Sequence, residues 1–315
     1  MPIKKEQGRR ASRGTPGSLV VARLIGGLGN QMFQYATGRA LALQREAILK
    51  LDVRGFAAAG AHTKRRFELD CFSIHGSAAS DADLAQFGRA AKPRFWPLDR
   101  VLRWLRIERA NGAWPIYREP HFQFDPAVPE LQAPVYLDGY WQSERYFSDI
   151  GGVLRQEFTA NVPLDLENQA LVAGIDSVNA VSLHVRRGDY VSDPATNRFH
   201  GICSPDYYER AVEYIAARVG SSRLFVFSDD QQWTRANLHF AVPTTFVDAN
   251  PSDSGYRDML LMARCRHHII ANSSFSWWGA WLNPSREKIV VAPRQWFRAN
   301  SNDTRDLIPP NWVRL

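Results

Sequence analysis

From residue 178 to residue 292 the chain alternates short apolar runs with helical patterns, and this rhythm narrows the possible folds more than any other feature. Runs at 178–185, 223–227, 244–247, 268–271 and 288–292 read as strands, separated by helices at 206–219, 230–238, 255–265 and 274–282. Strands that alternate with helices pair in parallel, because each crossover helix returns the chain to the same end of the sheet. The first half opens on the same unit: a strand at 18–24, a loop Gly26-Gly27-Leu28-Gly29-Asn30-Gln31, a helix from Met32 to Glu46 and a strand at 47–52. Residues 53–140 read as irregular, with helical stretches near 81–91 and 98–109 and a strand at 135–137. A helix is expected over Glu144 to Phe158 and a connection over 163–177. The expected architecture is therefore α/β, with a tail at 1–17 and two domains, 18–165 and 166–315, facing a cleft.

Ligands of open α/β sheets gather at the carboxyl ends of strands. The run Val178 to Val185 ends there in Arg186-Arg187-Gly188-Asp189-Tyr190. Guanidinium groups stay charged and fit phosphate oxygens two at a time, so this exit suits a diphosphate, with Asp189 orienting one arginine. After Leu224-Phe225-Val226-Phe227 come Ser228-Asp229-Asp230, whose carboxylates suit a guanine edge or a ribose diol, or else cap a helix. After Ile269-Ile270-Ala271 come Asn272-Ser273-Ser274-Phe275, where hydroxyls and free N–H groups at a helix start form an anion site. Trp277, Trp278 and Trp281 follow, and their spacing suits packing better than catalysis.

Several classes fit poorly. No apolar run approaches the ~20 residues needed to span a bilayer, and Met1 to Ser18 lacks the apolar stretch of a secretory signal. The scattered Cys71, Cys203 and Cys265 suit reduced thiols in a cytoplasmic protein. The net charge of +7 resides in 1–17, at +4, and 88–109, at +5, leaving the remainder at −2, so no continuous nucleic-acid face is expected. Segment 95–109 sets Arg100, Arg103 and Arg106 on one helical side, which suits either a peripheral membrane contact or a core-packed helix with a solvated face. No metal site is expected: Asp81-Ala82-Asp83 follows Ser80 as a capped helix start would, and His267 and His268 point to opposite faces of a strand.

Two other readings stay open on the residues alone. Gly27 and Gly29, with Asp52 ending the second strand, partly match the fingerprint of an NAD-dependent oxidoreductase, although the third glycine position is Met32. A non-catalytic binder of glycan or nucleic acid would instead use the basic segments, with steep salt dependence.

Taken together, Gly26-Gly27-Leu28-Gly29-Asn30-Gln31-Met32-Phe33-Gln34-Tyr35-Ala36, His184-Val185-Arg186-Arg187-Gly188-Asp189-Tyr190, Phe227-Ser228-Asp229-Asp230 and Asn272-Ser273-Ser274-Phe275-Ser276-Trp277-Trp278-Gly279-Ala280 resemble the bacterial α-1,2-fucosyltransferases of glycosyltransferase family 11. The resemblance spans roughly 20–295 and leaves out the tail. It implies a GT-B-like fold of two Rossmann-like domains, and inverting, metal-independent transfer of L-fucose from GDP-fucose to the 2-hydroxyl of a terminal β-galactose. By the same resemblance Arg186 and Arg187 hold the pyrophosphate, His184 lies near the guanosine and Asp189 supports the loop. Asp229 reads guanine, Ser273, Ser274 and Phe275 contact phosphates, Gly29 belongs to the donor site, and Asn30 faces donor and acceptor. No cofactor is implied beyond this co-substrate. For a general base acting on the acceptor hydroxyl, Asp193, His200 and Asp52 are candidates by position.

Overall fold

The computed structural model describes residues 18–56, 65–88, 107–108, 112–299 and 302–315. The tail expected at 1–17 and the amphipathic segment at 95–109, apart from residues 107 and 108, lie outside these.

The first half runs β1 (Leu19–Arg23), α1 (Leu28–Gln44), β2 (Ile48–Asp52), β3 (Ser77–Ala78), α2 (Asp81–Ala85), β4 (Ile107–Glu108), β5 (Ile116–Arg118), β6 (Val135–Asp138), α3 (Gly151–Glu157) and α4 (Leu166–Asp176). The second runs β7 (Ala180–Val185), α5 (Gly188–Ser192), α6 (Pro194–His200), α7 (Pro205–Val219), β8 (Arg223–Ser228), α8 (Gln231–Asn237), β9 (Thr244–Val247), α9 (Tyr256–Arg264), β10 (His267–Ile269), α10 (Ser274–Leu282), β11 (Val290–Ala292) and β12 (Val313–Arg314).

Local chemistry sets these elements. All six residues of β7 are buried, as a central strand covered on both faces requires. In α7, Ser204 caps the start by accepting from the Tyr207 N–H, Pro205 sits in the first turn, and Gly220 ends the helix at φ 68°. Its buried stripe is Tyr207, Tyr208, Ala211, Val212 and Ile215, at helical spacing.

Strand order explains where a ligand would go. The second sheet is ordered β12-β11-β10-β7-β8-β9, parallel throughout, so the chain reverses direction between β7 and β10. That is the doubly wound order, whose ligand crevice opens at the carboxyl ends of the two strands flanking the reversal. The first sheet is ordered β3-β2-β1-β6-β5-β4, parallel except for the β4–β5 pair, and reverses between β1 and β6. Two Rossmann-like α/β units thus face a common cleft, the GT-B-like arrangement expected.

Aromatic packing joins the units. Phe33 of α1 lies 4.5 Å from Trp277 and 5.0 Å from Trp278 of α10, and Phe147 stacks on Trp278. The Trp278 Nε1–H donates to the Gly29 carbonyl at 2.9 Å. The three tryptophans are packing residues, as their spacing indicated.

Several expectations need correction. Helix α1 starts at Leu28, with Gly27 as its cap, so four of the six residues of the glycine loop are already helical. The helix expected over 144–158 is broken into 3₁₀ turns at Glu144–Tyr146 and Ser148–Ile150 before α3. The connection expected at 163–177 contains α4, capped by Asp165. Ile107–Glu108 form β4 instead of ending a helix, because ladder bonds to β5 override a local helical period. Residues 188–200, to which no helix was assigned, fold as α5 and α6.

Candidate active site

Between the two sheets lies a cleft of about 2230 Å³, lined by the turns that leave β1, β6, β7, β8 and β10. His184 and Arg186 leave β7 into it, and Asp229 enters from the end of β8. The Arg186 guanidinium is bracketed by two carboxylates, Asp189 at 2.5 Å and Asp229 at 2.9 Å. Burial alone would lower the Arg186 pKa, but Asp229 and Asp189 outweigh it and hold the group above the ordinary arginine value. Beneath it lies the Tyr190 ring, 5.3 Å away, whose hydroxyl donates to the Asn272 carbonyl at 3.3 Å.

Asp229 also accepts the Arg187 N–H at 2.8 Å. At Gly188 a Cβ would lie 2.5 Å from an Asp229 carboxylate oxygen, so only glycine permits this approach. The His184 ring packs 5.5 Å from Phe275, and its Nδ1 is buried without a hydrogen-bond partner. Burial pulls the His184 pKa down to about 3, with the Arg186 charge adding to the effect, so the ring is neutral at physiological pH. A neutral imidazole with an open nitrogen suits a ligand group within hydrogen-bond reach.

The start of α10 forms the neighbouring wall. Ser273 caps it by accepting from the Phe275 N–H, and Ser273, Ser274 and Phe275 all line the cleft. Its position is fixed by Asn272, whose amide donates to the carbonyls of His200, Gly201 and Trp296 at 3.0, 3.3 and 3.1 Å. Across the cleft, Asn30 accepts from the Gln142 amide at 2.7 Å and is thereby held at the opening.

Most of the expected donor residues are therefore brought together: Asn30, His184, Arg186, Asp189, Asp229, Ser273, Ser274 and Phe275 share one cleft. Two behave otherwise. Arg187 does not line it; its guanidinium lies 3.6 Å over the Trp233 ring and pairs with Asp230 at 3.1 Å. Successive residues leaving a strand point to opposite sides, so Arg186 and Arg187 cannot both face the ligand. Gly29 lines the cleft, but a Cβ there would lie 2.5 Å from the Ser274 carbonyl carbon. Its small size serves the close contact of α1 with α10.

The candidate bases separate as well. Asp193 caps α6 and does not line the cleft. Asp52 is also away from it, and accepts from Arg54 and from the Tyr136 hydroxyl at 2.7 Å. Burial pushes its pKa up, and these bonds hold it below the ordinary carboxylate value. His200 does line the cleft, stacked on Tyr190 at 4.6 Å, and burial pulls it down to about 4. Among the described residues no cluster of three or more histidine, cysteine or acidic side chains could hold a metal. Asp83 forms a capping box with Ser80 and Asp81 sits in the first turn of the same helix, and His268 is held by Ser182 and Asn283 apart from His267.

Sequence reasoning missed Arg65 and Arg66, which line the cleft from the first domain within a stretch read as irregular. The signal available was the basic run Lys64-Arg65-Arg66. It also missed Glu68 and Asp258; burial raises both above the ordinary carboxylate value, Asp258 to about 6.

The description of Glycosyl transferase family 11 matches residues 121–315. The chain belongs to this family. It is 36% identical, over 95% of its length and 99% of the relative's, to an alpha-1,2-colitosyltransferase of Escherichia coli. It is 32% identical, over 93% of its length and 99% of the relative's, to the O-antigen biosynthesis glycosyltransferase WbnK of the same species. A galactoside alpha-(1,2)-fucosyltransferase 1 of Homo sapiens is 26% identical over 82% of this chain and 63% of that protein. The oxidoreductase and non-catalytic readings fall with this result. Physically, the glycine turn is filled by the backbone of Ser274 and Phe275 and Asp52 is engaged elsewhere, so neither is offered to a dinucleotide in this transferase. No helix among the described residues is long and apolar enough to cross a membrane.

Proposed function

We propose that this transferase moves L-fucose, or a closely similar deoxy sugar such as colitose, from its GDP-linked donor to the 2-hydroxyl of a terminal β-galactose, with inversion and without a metal ion. The observation carrying the proposal is Arg186, bracketed by Asp189 and Asp229 at the reversal point of the second sheet, beside the capped start of α10. When the bond from sugar C1 to the β-phosphate oxygen breaks, its electron pair goes to the phosphate. Charge grows there while the sugar becomes oxocarbenium-like. Fixed donors aimed at that oxygen act on charge present in the transition state and therefore raise kcat. His184 offers its open Nδ1 to the nucleoside, and Asp229 accepts from the guanine edge. Of the three bases expected by position, His200 is the one that lines the cleft and so the one placed to receive the acceptor proton, although the burial that holds it to about 4 makes it a weak acceptor.

The fucosyl and galactosyl parts of this proposal take support from the name of the human relative, and the colitosyl alternative from that of the bacterial one. A transfer assay offering GDP-fucose and GDP-colitose to β-galactosides, with linkage read by NMR and EDTA in parallel, tests every part. Turnover of GDP-fucose to an α-1,2 product, unchanged by EDTA, is expected. Exclusive use of GDP-colitose would shift the donor, and abolition by EDTA would overturn the metal-free mechanism.

A further inference from the structure

The cleft is poor in positive charge. Among its described lining residues are three arginines, Arg65, Arg66 and Arg186, against eight carboxylates, and Arg187 turns away. Arg186 is itself matched by Asp189 and Asp229. The arginine motif of the second domain therefore has no surplus charge with which to hold a nucleoside diphosphate of about two or more negative charges, and no bound metal is invoked to supply it.

A second cation stands opposite. Arg65 crosses from the first domain and donates to Asp189, using the carboxylate oxygen that Arg186 does not. One carboxylate thus holds two guanidinium groups side by side, one from each wall. Arg65 also packs over Gly27, where a Cβ would lie 3.5 Å from its Nη1. This geometry is a pair of fixed forks converging on one anion position, which suits a diphosphate better than either alone.

We infer that Arg65 is a diphosphate-binding residue of the donor site: the first domain supplies a cation that, with Arg186, grips the β-phosphate and releases Asp189 on donor entry. The inference rests on the GDP-sugar reading above. It makes Arg65 a contributor to charge stabilisation of the leaving group, and the first domain a participant in donor binding as well as acceptor binding.

Calorimetry with GDP and GMP on the full chain, wild type against Arg65→Ala and Arg65→Lys, tests it. Wild type is expected to bind GDP more tightly than GMP. Arg65→Ala is expected to lose about tenfold to a hundredfold of GDP affinity, the factor for one charge-assisted hydrogen bond, while GMP affinity stays within about twofold. Arg65→Lys should recover part of the margin. If wild type prefers GDP and Arg65→Ala keeps the same preference, Arg65 is only a latch between domains and the inference is overturned. Equal loss for GDP and GMP with a lowered melting temperature overturns it too. Should wild type show no preference for GDP over GMP, the GDP-sugar reading itself fails.

Discussion

Arg186 gathers two carboxylates, an aromatic ring and the cleft around one guanidinium, and its removal should separate binding from chemistry. Arg186→Ala leaves Asp189 and Asp229 facing each other without their shared countercharge. We expect kcat to fall by ~10²-fold or more, the loss typical of one donor to a developing oxyanion. Steady-state kinetics checks this, and near-native turnover would remove Arg186 from the mechanism. His200→Ala should lower kcat while leaving the donor KM within about twofold, because a proton acceptor acts in the transition state and not on the nucleotide. Measuring kcat and donor KM separately decides it. At this scale the sequence was legible where a motif sits on a strand exit, as for His184, Arg186, Asp229 and Ser273. It misled at Arg187, since two adjacent arginines look equivalent in a sequence and only the strand's alternation shows that one turns onto Trp233. For Arg65 the basic run at 64–66 was the only signal, and it did not single the residue out because the contact with Asp189 lies far along the chain and in another domain.

Between elements, the contact of α1 with α10 sets the width of the cleft. Gly29 touches the Ser274–Phe275 backbone, and the Trp278 indole donates to the Gly29 carbonyl. Gly29→Ala places a Cβ against backbone atoms that cannot rotate away. A loss of about 1–3 kcal/mol in unfolding free energy is expected, the range for overpacking, with reduced activity because α10 carries Ser273 and Ser274. Denaturant unfolding measures it, and unchanged stability would show that the two helices can part freely. Periodicity revealed α7 and α10 well, since each buries one clear face. It found α1 from Met32 onward but missed its first turn, Leu28 to Gln31, which read as a loop, and it failed for α4, where a capping aspartate at 165 was the one marker.

For the whole molecule, buried histidines and buried acids oppose each other in pH dependence. His184 is held to about 3, His200 to about 4, and His268 well below the usual value, each first by burial. Folded values below the unfolded value mean that protons favour the unfolded chain. Their stability is complete above about 6.5 and is lost as pH falls from there towards 4. Asp258 acts in reverse: burial raises its carboxyl to about 6, so stability falls as pH rises from about 4 to about 6. Glu68, raised by burial as well, acts in the same sense as Asp258; each group contributes at most about 1.4 kcal/mol per pH unit, and three histidines outweigh two carboxyls. Melting temperature is thus expected to drop between pH 7 and 4.5, and more steeply in Asp258→Asn, which removes part of the opposing effect. A melting temperature that rises on acidification would contradict the neutral histidines. The two-sheet architecture followed from strand alternation in the second half. The order β3-β2-β1-β6-β5-β4 of the first sheet did not, because its edge strands are only two or three residues long and carry no readable period.

The most direct test of a donor site centred on Arg186 is a crystal structure with GDP bound. The expected result places the diphosphate against Arg186 and the start of α10, with the nucleoside near His184. A nucleotide lodged in another crevice, with Arg186 still closed between Asp189 and Asp229, would contradict it.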